Sequence, residues 1–152
     1  MSDPHLREAL QEAVNEVLEK MFFTRTFAAI PVGAAVKKVT AYLAFEGNPS
    51  GSFTLGIYSE AARSITADFL GEDEMALTDE QLGEVVCELA NMICGSMLSR
   101  VEPDTAFRLH SPVLLDCQDR ERASEFANEL VGFYNGAMWI DLRFAEQYGS
   151  MS

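Results

Sequence analysis

Apolar positions recur at helical spacing near the start of the chain. Leu6, Leu10, Ala13, Val14, Val17 and Met21 form one stripe from Leu6 to Phe22, behind an Asp3-Pro4 start signal. The next segment, Thr26–Val32, carries Pro31 with Gly33 as breakers and reads as a short strand. Val36–Phe45 is rich in β-branched and aromatic residues, and Ser52–Tyr58 alternates Phe53, Leu55 and Ile57. Between them lies the turn-forming run Gly47-Asn-Pro-Ser-Gly51, so the pair reads as a hairpin. Ser59–Leu70 has helical character and stops at Gly71. An acidic connector, Gly71–Asp79, follows. Thr78 and Gln81 have capping-box spacing for a long helix from Asp79 to Arg100, with Pro103 just beyond it.

Phe107–Cys117 reads as a strand interrupted by Pro112. Asp119–Phe126 is charged and fits a short helix or a loop. Asn128–Tyr134 and Ala137–Phe144 flank Asn135-Gly136, a strong hairpin signal. The order α-β-β-β-α, then α-β-β-β, predicts an α+β fold with long helices packed on a largely antiparallel sheet.

Shifting the first helix so that Leu6 falls on Leu82 also puts Glu8 on Glu84, Glu12 on Glu88, Asn15 on Asn91 and Met21 on Met97. Each of these helices is followed by strands ending in a hairpin. The expectation is two pseudo-repeated α-β-β-β halves within a single domain spanning residues 1–152.

On a helical wheel at about 100° per residue, Leu82, Val85, Val86, Leu89, Ala90, Met92, Ile93 and Met97 form a core-facing stripe. Glu84, Glu88, Asn91 and Gly95 fall together on the opposite side. Glu88 and Asn91 are one turn apart, and Gly95 lies one turn beyond Asn91. A glycine inside a helix costs about 1 kcal/mol relative to alanine. Its position suggests a face kept flat for the close approach of another surface.

Charge narrows the choice of partner. With 24 acidic and 11 basic residues, the net charge is −13. Phosphate contacts need Lys and Arg, so nucleic acid is disfavoured, as is an anionic membrane surface. No basic-then-apolar leader and no run of 18 uninterrupted apolar residues is visible. Three cysteines without framework spacing suggest reduced thiols and a cytoplasmic protein. Cys87 and Cys94 are seven positions apart, which is not zinc-ligand spacing, so no metal site is expected. His5 and His110 are the only histidines, and Cys117 with His110, a conceivable nucleophile–base pair, reads instead as ordinary strand residues. The run Met21-Phe-Phe with Phe27 reads as core at a helix end.

The segment Cys87-Glu-Leu-Ala-Asn-Met-Ile-Cys-Gly95, preceded by Gly51-Ser-Phe-Thr-Leu-Gly-Ile-Tyr-Ser59, resembles the CheX/CheC-type chemotaxis phosphatases, CheX most of all. Leu109–Leu115 with Pro112 and the final hairpin fit as well, so the resemblance covers roughly residues 5 to 146. It implies a CheC-like fold and a homodimer. It implies phosphatase activity on a phosphorylated CheY-like response regulator that brings its own aspartyl phosphate and Mg²⁺, with no cofactor on this chain. By the same resemblance, Asn91 orients the attacking water and Glu88 pairs with a lysine of the regulator. Glu84 and Gly95 then belong to the docking face. Glu12 and Asn15 match the motif as a second site, but Glu19 stands where that site would need the counterpart of Gly95. Met97, two residues after Gly95, also departs from the pattern and reads as core packing. The alternative is a CheC-like domain that docks a regulator or another signalling protein without hydrolysis, or serves as a scaffold.

Overall fold

A computed structural model describes residues 4–20, 38–47, 50–104, 106–115, 129–134 and 138–144. Helix α1 spans Pro4–Lys20, α2 spans Ser59–Leu70 and α3 spans Asp79–Val101. The strands are β1 Lys38–Glu46, β2 Gly51–Tyr58, β3 Arg108–Leu109, β4 Val113–Leu114, β5 Glu129–Tyr134 and β6 Met138–Phe144. Pro112 does break its segment, leaving β3 and β4 as two short strands on either side of it. The expected strand Thr26–Val32, the ambiguous Asp119–Phe126, the Asn135-Gly136 turn and Cys117 lie outside the described residues.

The sheet order is β3-β1-β2-β6-β5, with β4 also on the outer edge of β1, and every described pairing is antiparallel. The two hairpins, β1–β2 and β5–β6, meet through β2 and β6, with Thr54 opposite Asp141 near the middle of that pair. Two similar hairpins joined back to back are what a doubled α-β-β-β unit would build.

Period-two alternation puts Leu43, Phe45, Phe53, Leu55, Ile57, Ile140 and Leu142 in the core, all essentially inaccessible to solvent. Leu10, Ala13 and Val14 of α1 and Leu89, Ile93 and Met97 of α3 complete that core. Each fully buried Leu, Ile or Phe side chain contributes about 1.5–3 kcal/mol. The central strand β2 is buried almost throughout. At Gly56 a Cβ would lie 2.2 Å from the Trp139 ring, and at Gly51 one would lie 2.2 Å from the Arg143 carbonyl, so β2 needs glycine at both positions for its close approach to β6.

Among the described residues, α3 has the length and hydropathy of a membrane-crossing helix, yet 56% of that window is buried inside the fold. Its apolar face is core. The acidic connector holds more structure than its composition suggests. Glu74–Ala76 forms a 3₁₀ turn, with the Asp73 carboxylate accepting from the Met75 N–H at 2.9 Å.

Candidate functional site

The site is built on α3, which starts from a complete capping box. The Gln81 N–H donates to Thr78 Oγ1 at 3.1 Å, and the Thr78 N–H donates to Gln81 Oε1 at 2.9 Å. Asp79 and Glu80 in the first turn and Arg100 in the last complement the helix dipole. At 23 residues the helix is about 35 Å long.

Side chains from α1 pin its C-terminal half. Ser96 Oγ donates to Glu16 Oε1 at 3.3 Å, Arg100 Nη1 donates to Glu12 Oε1 at 3.3 Å, and Arg100 Nη2 pairs with Glu16. Four residues forward on α3 match four residues back on α1, so the helices run antiparallel. The Arg100 guanidinium, donating to Glu16, holds that carboxyl below its ordinary value, with Lys20 adding to the effect.

Glu84 and Glu88 are exposed, and Asn91 and Gly95 are half-exposed on the same strip. Among the described residues, neither Glu88 nor Asn91 makes a side-chain hydrogen bond or ion pair. A Cβ placed on Gly95 would meet a single atom within 4 Å, Leu109 Cδ2 at 3.9 Å. Among the described residues nothing therefore demands glycine there, in contrast with Gly51 and Gly56.

The wheel needs correction at two residues: Cys94 and Leu98 are buried although they lie outside the core stripe, while Met92 at its edge is partly buried and packs against the core. Phe107 and Leu109 pack against the core cluster, with Leu109 beside Gly95. With α1, α2 and the sheet packed around it, α3 is buried over a wider arc than a single-helix wheel can foresee.

Glu12 and Asn15 are exposed on α1. Glu12 differs from its counterpart Glu88 in being tied to Arg100. Burial raises the thiol pKa of both Cys87 and Cys94, which suits packing and not nucleophilic attack. His110 Nε2 lies 2.6 Å from Glu46 Oε2, engaged at the strand edge. A cavity of about 310 Å³ opens beside the first turns of α3, lined by Ser59, Arg63, Asp79, Leu82 and Leu114 among others, and it includes neither Glu88 nor Asn91. The candidate site is a convex helix face. Such a face can enter a concave partner, and its free amide and carboxylate can order a water and attract a cation.

A family model described as chemotaxis phosphatase CheX matches residues 39–135, more than half of the chain. The chain belongs to the CheX family. Glu84, Glu88, Asn91 and Gly95 lie within the matched region, and Glu12 and Asn15 precede it. No curated protein sequence matches the chain. Among solved structures, a CheC-like superfamily protein from Shewanella sp. PV-4 superposes with a TM-score of 0.67 at 15% identity, covering 95% of this chain and 100% of that one. Chemotaxis protein CheX from Vibrio vulnificus gives 0.66 at 18% identity, covering 94% and 99%. The CheX–CheY–BeF₃–Mg²⁺ complex from Borrelia burgdorferi gives 0.60 at 19% identity, covering 91% and 97%. These likenesses establish the CheC-like fold, with the three described α-helices on an antiparallel sheet.

Proposed function

We propose that this CheX-family chain hydrolyses the aspartyl phosphate of a CheY-like response regulator, using Asn91 and Glu88 of α3. The observation that carries this reading is the pairing of a carboxamide and a carboxylate one turn apart on the exposed strip of a capped helix, neither engaged among the described residues. Family membership and the CheX–CheY complex of the Borrelia relative support the choice of partner.

In this reading Glu88 pairs with a lysine of the regulator and sets the depth of α3 in its phosphorylation pocket. The Asn91 amide then holds a water in line with phosphorus, donating through its N–H₂ or accepting through its carbonyl. The water oxygen bonds to phosphorus as the bond from phosphorus to the aspartyl oxygen breaks. The aspartate leaves as a carboxylate with the electron pair, and the water's protons pass to phosphate and solvent. Mg²⁺ bound by the regulator would supply charge neutralisation at the phosphoryl group. An acyl phosphate needs alignment more than a covalent nucleophile. A neutral amide also adds no negative charge beside the phosphoryl group, as a carboxylate would.

We assign one working site per chain. Glu12 is held by Arg100, and Glu19 puts an anion where the second site would need open space. The test is the decay of a phosphorylated receiver domain with and without the protein. Faster release of phosphate supports the proposal. Unchanged decay overturns it, and binding with unchanged decay makes the chain a docking module.

A further inference from the structure

We propose that Leu109 of β3 is a specificity-determining residue, extending the docking face beyond α3 to receive an apolar side chain next to the regulator's phosphorylated aspartate. This rests on the function proposed above. It starts from Gly95, whose lack of a side chain has no cause among the described residues. Outside its own helix, the only described atom within 4 Å of its absent Cβ is Leu109 Cδ2, at 3.9 Å. A helix-interior glycine still costs stability. What it leaves at this point is a notch, floored by the α3 backbone and walled by Leu109, one turn from Asn91.

Leu109 suits such a role. It is half-buried, with part of its side chain packed on the core cluster and part open to solvent. Its backbone is held against β1. Leu109 pairs with Phe45 of β1, the His110 N–H donates to the Ala44 carbonyl at 2.9 Å, and His110 Nε2 lies 2.6 Å from Glu46 Oε2. A side chain already fixed in place loses little conformational freedom on binding. The rest of the strip offers Glu84 and Glu88 on a chain of net charge −13, and such charged contacts weaken with salt. An apolar contact at Leu109 would persist, and apolar anchors beside polar groups commonly carry much of an interface's affinity.

The experiment is steady-state dephosphorylation of a CheY-like receiver, phosphorylated with acetyl phosphate, at low and high salt. Leu109→Gln is expected to raise KM about tenfold with kcat little changed, and the increase should persist at high salt. Leu109→Met should restore KM, with thermal unfolding confirming that both variants fold. Where Gln prevents folding, the strand-compatible Leu109→Thr takes its place. A folded Leu109→Gln or Leu109→Thr with wild-type KM overturns the inference, as does a loss confined to kcat. If the wild-type protein does not accelerate decay at all, the proposed function itself has failed, a result distinct from a failure at Leu109.

Discussion

Arg100, near the end of α3, donates to Glu12 of α1 across 88 positions of sequence. Glu12 is the residue that falls on Glu88 when the two helices are aligned. One member of the repeated pair is thus tied at the surface to the neighbouring helix, while the other has no partner among the described residues. The two helices share a motif and differ in what the fold leaves free for a partner.

Glu88→Ala and Glu12→Ala should therefore separate. Glu88→Ala is expected to lower kcat/KM on a phosphorylated receiver by about tenfold and to flatten its salt dependence. Glu12→Ala should leave kcat/KM near wild type. Side-by-side initial rates at two salt concentrations provide the check.

Arg100→Met removes the charge between α1 and α3 while retaining most of the apolar stem. Glu16 has a depressed folded-state pKa, so its contribution to stability is complete above the ordinary value of 4.5 and is lost as pH falls through the lower folded value. Without Arg100 the largest cause of that depression is gone. Denaturant midpoints measured from about pH 6 down to about pH 3 should fall less steeply in Arg100→Met than in wild type.

Two glycines should respond to alanine in opposite ways. Gly95→Ala places a Cβ in ordinary contact with Leu109 and is expected to stabilise α3 by up to about 1 kcal/mol, while raising KM by narrowing the notch. Gly51→Ala drives a Cβ to 2.2 Å from the Arg143 carbonyl and 3.1 Å from Phe144 Cα, a backbone that cannot swing aside. It should cost about 1–3 kcal/mol. Chemical denaturation distinguishes the two.

Thr78→Ala removes one half of the capping box that starts α3. The expected loss is about 1 kcal/mol, or about 2–4 °C in Tm for a chain of this size. Since Asn91 lies three turns inside the helix, kcat should change little at temperatures well below unfolding.

What was legible in the sequence was local. Thr78 and Gln81 announce the start of α3, and the spacing of Glu84, Glu88, Asn91 and Gly95 places them on one exposed strip from helical geometry alone. Pro112 marks the break between β3 and β4. What was not legible depends on elements brought together from afar. Nothing near Glu12 indicates that Arg100 will reach it, because that contact exists only once α1 and α3 lie antiparallel. Cys94 and Leu98 fall outside the apolar stripe on a wheel that has no knowledge of the helices and strands packed around α3. The approach of β2 to β6, which requires Gly51 and Gly56, likewise has no signature within either strand.

The proposed hydrolysis depends on the Asn91 amide to orient the attacking water. Phosphate release from a phosphorylated CheY-like receiver, compared between wild type and Asn91→Ala, is the decisive measurement. Asn91 is half-exposed and makes no side-chain hydrogen bond among the described residues, so the variant should fold with a near-wild-type Tm and still bind the receiver. The prediction is that wild type accelerates release and Asn91→Ala, bound to the receiver, returns the rate to that of the receiver alone. An Asn91→Ala protein that accelerates release as well as wild type would contradict it.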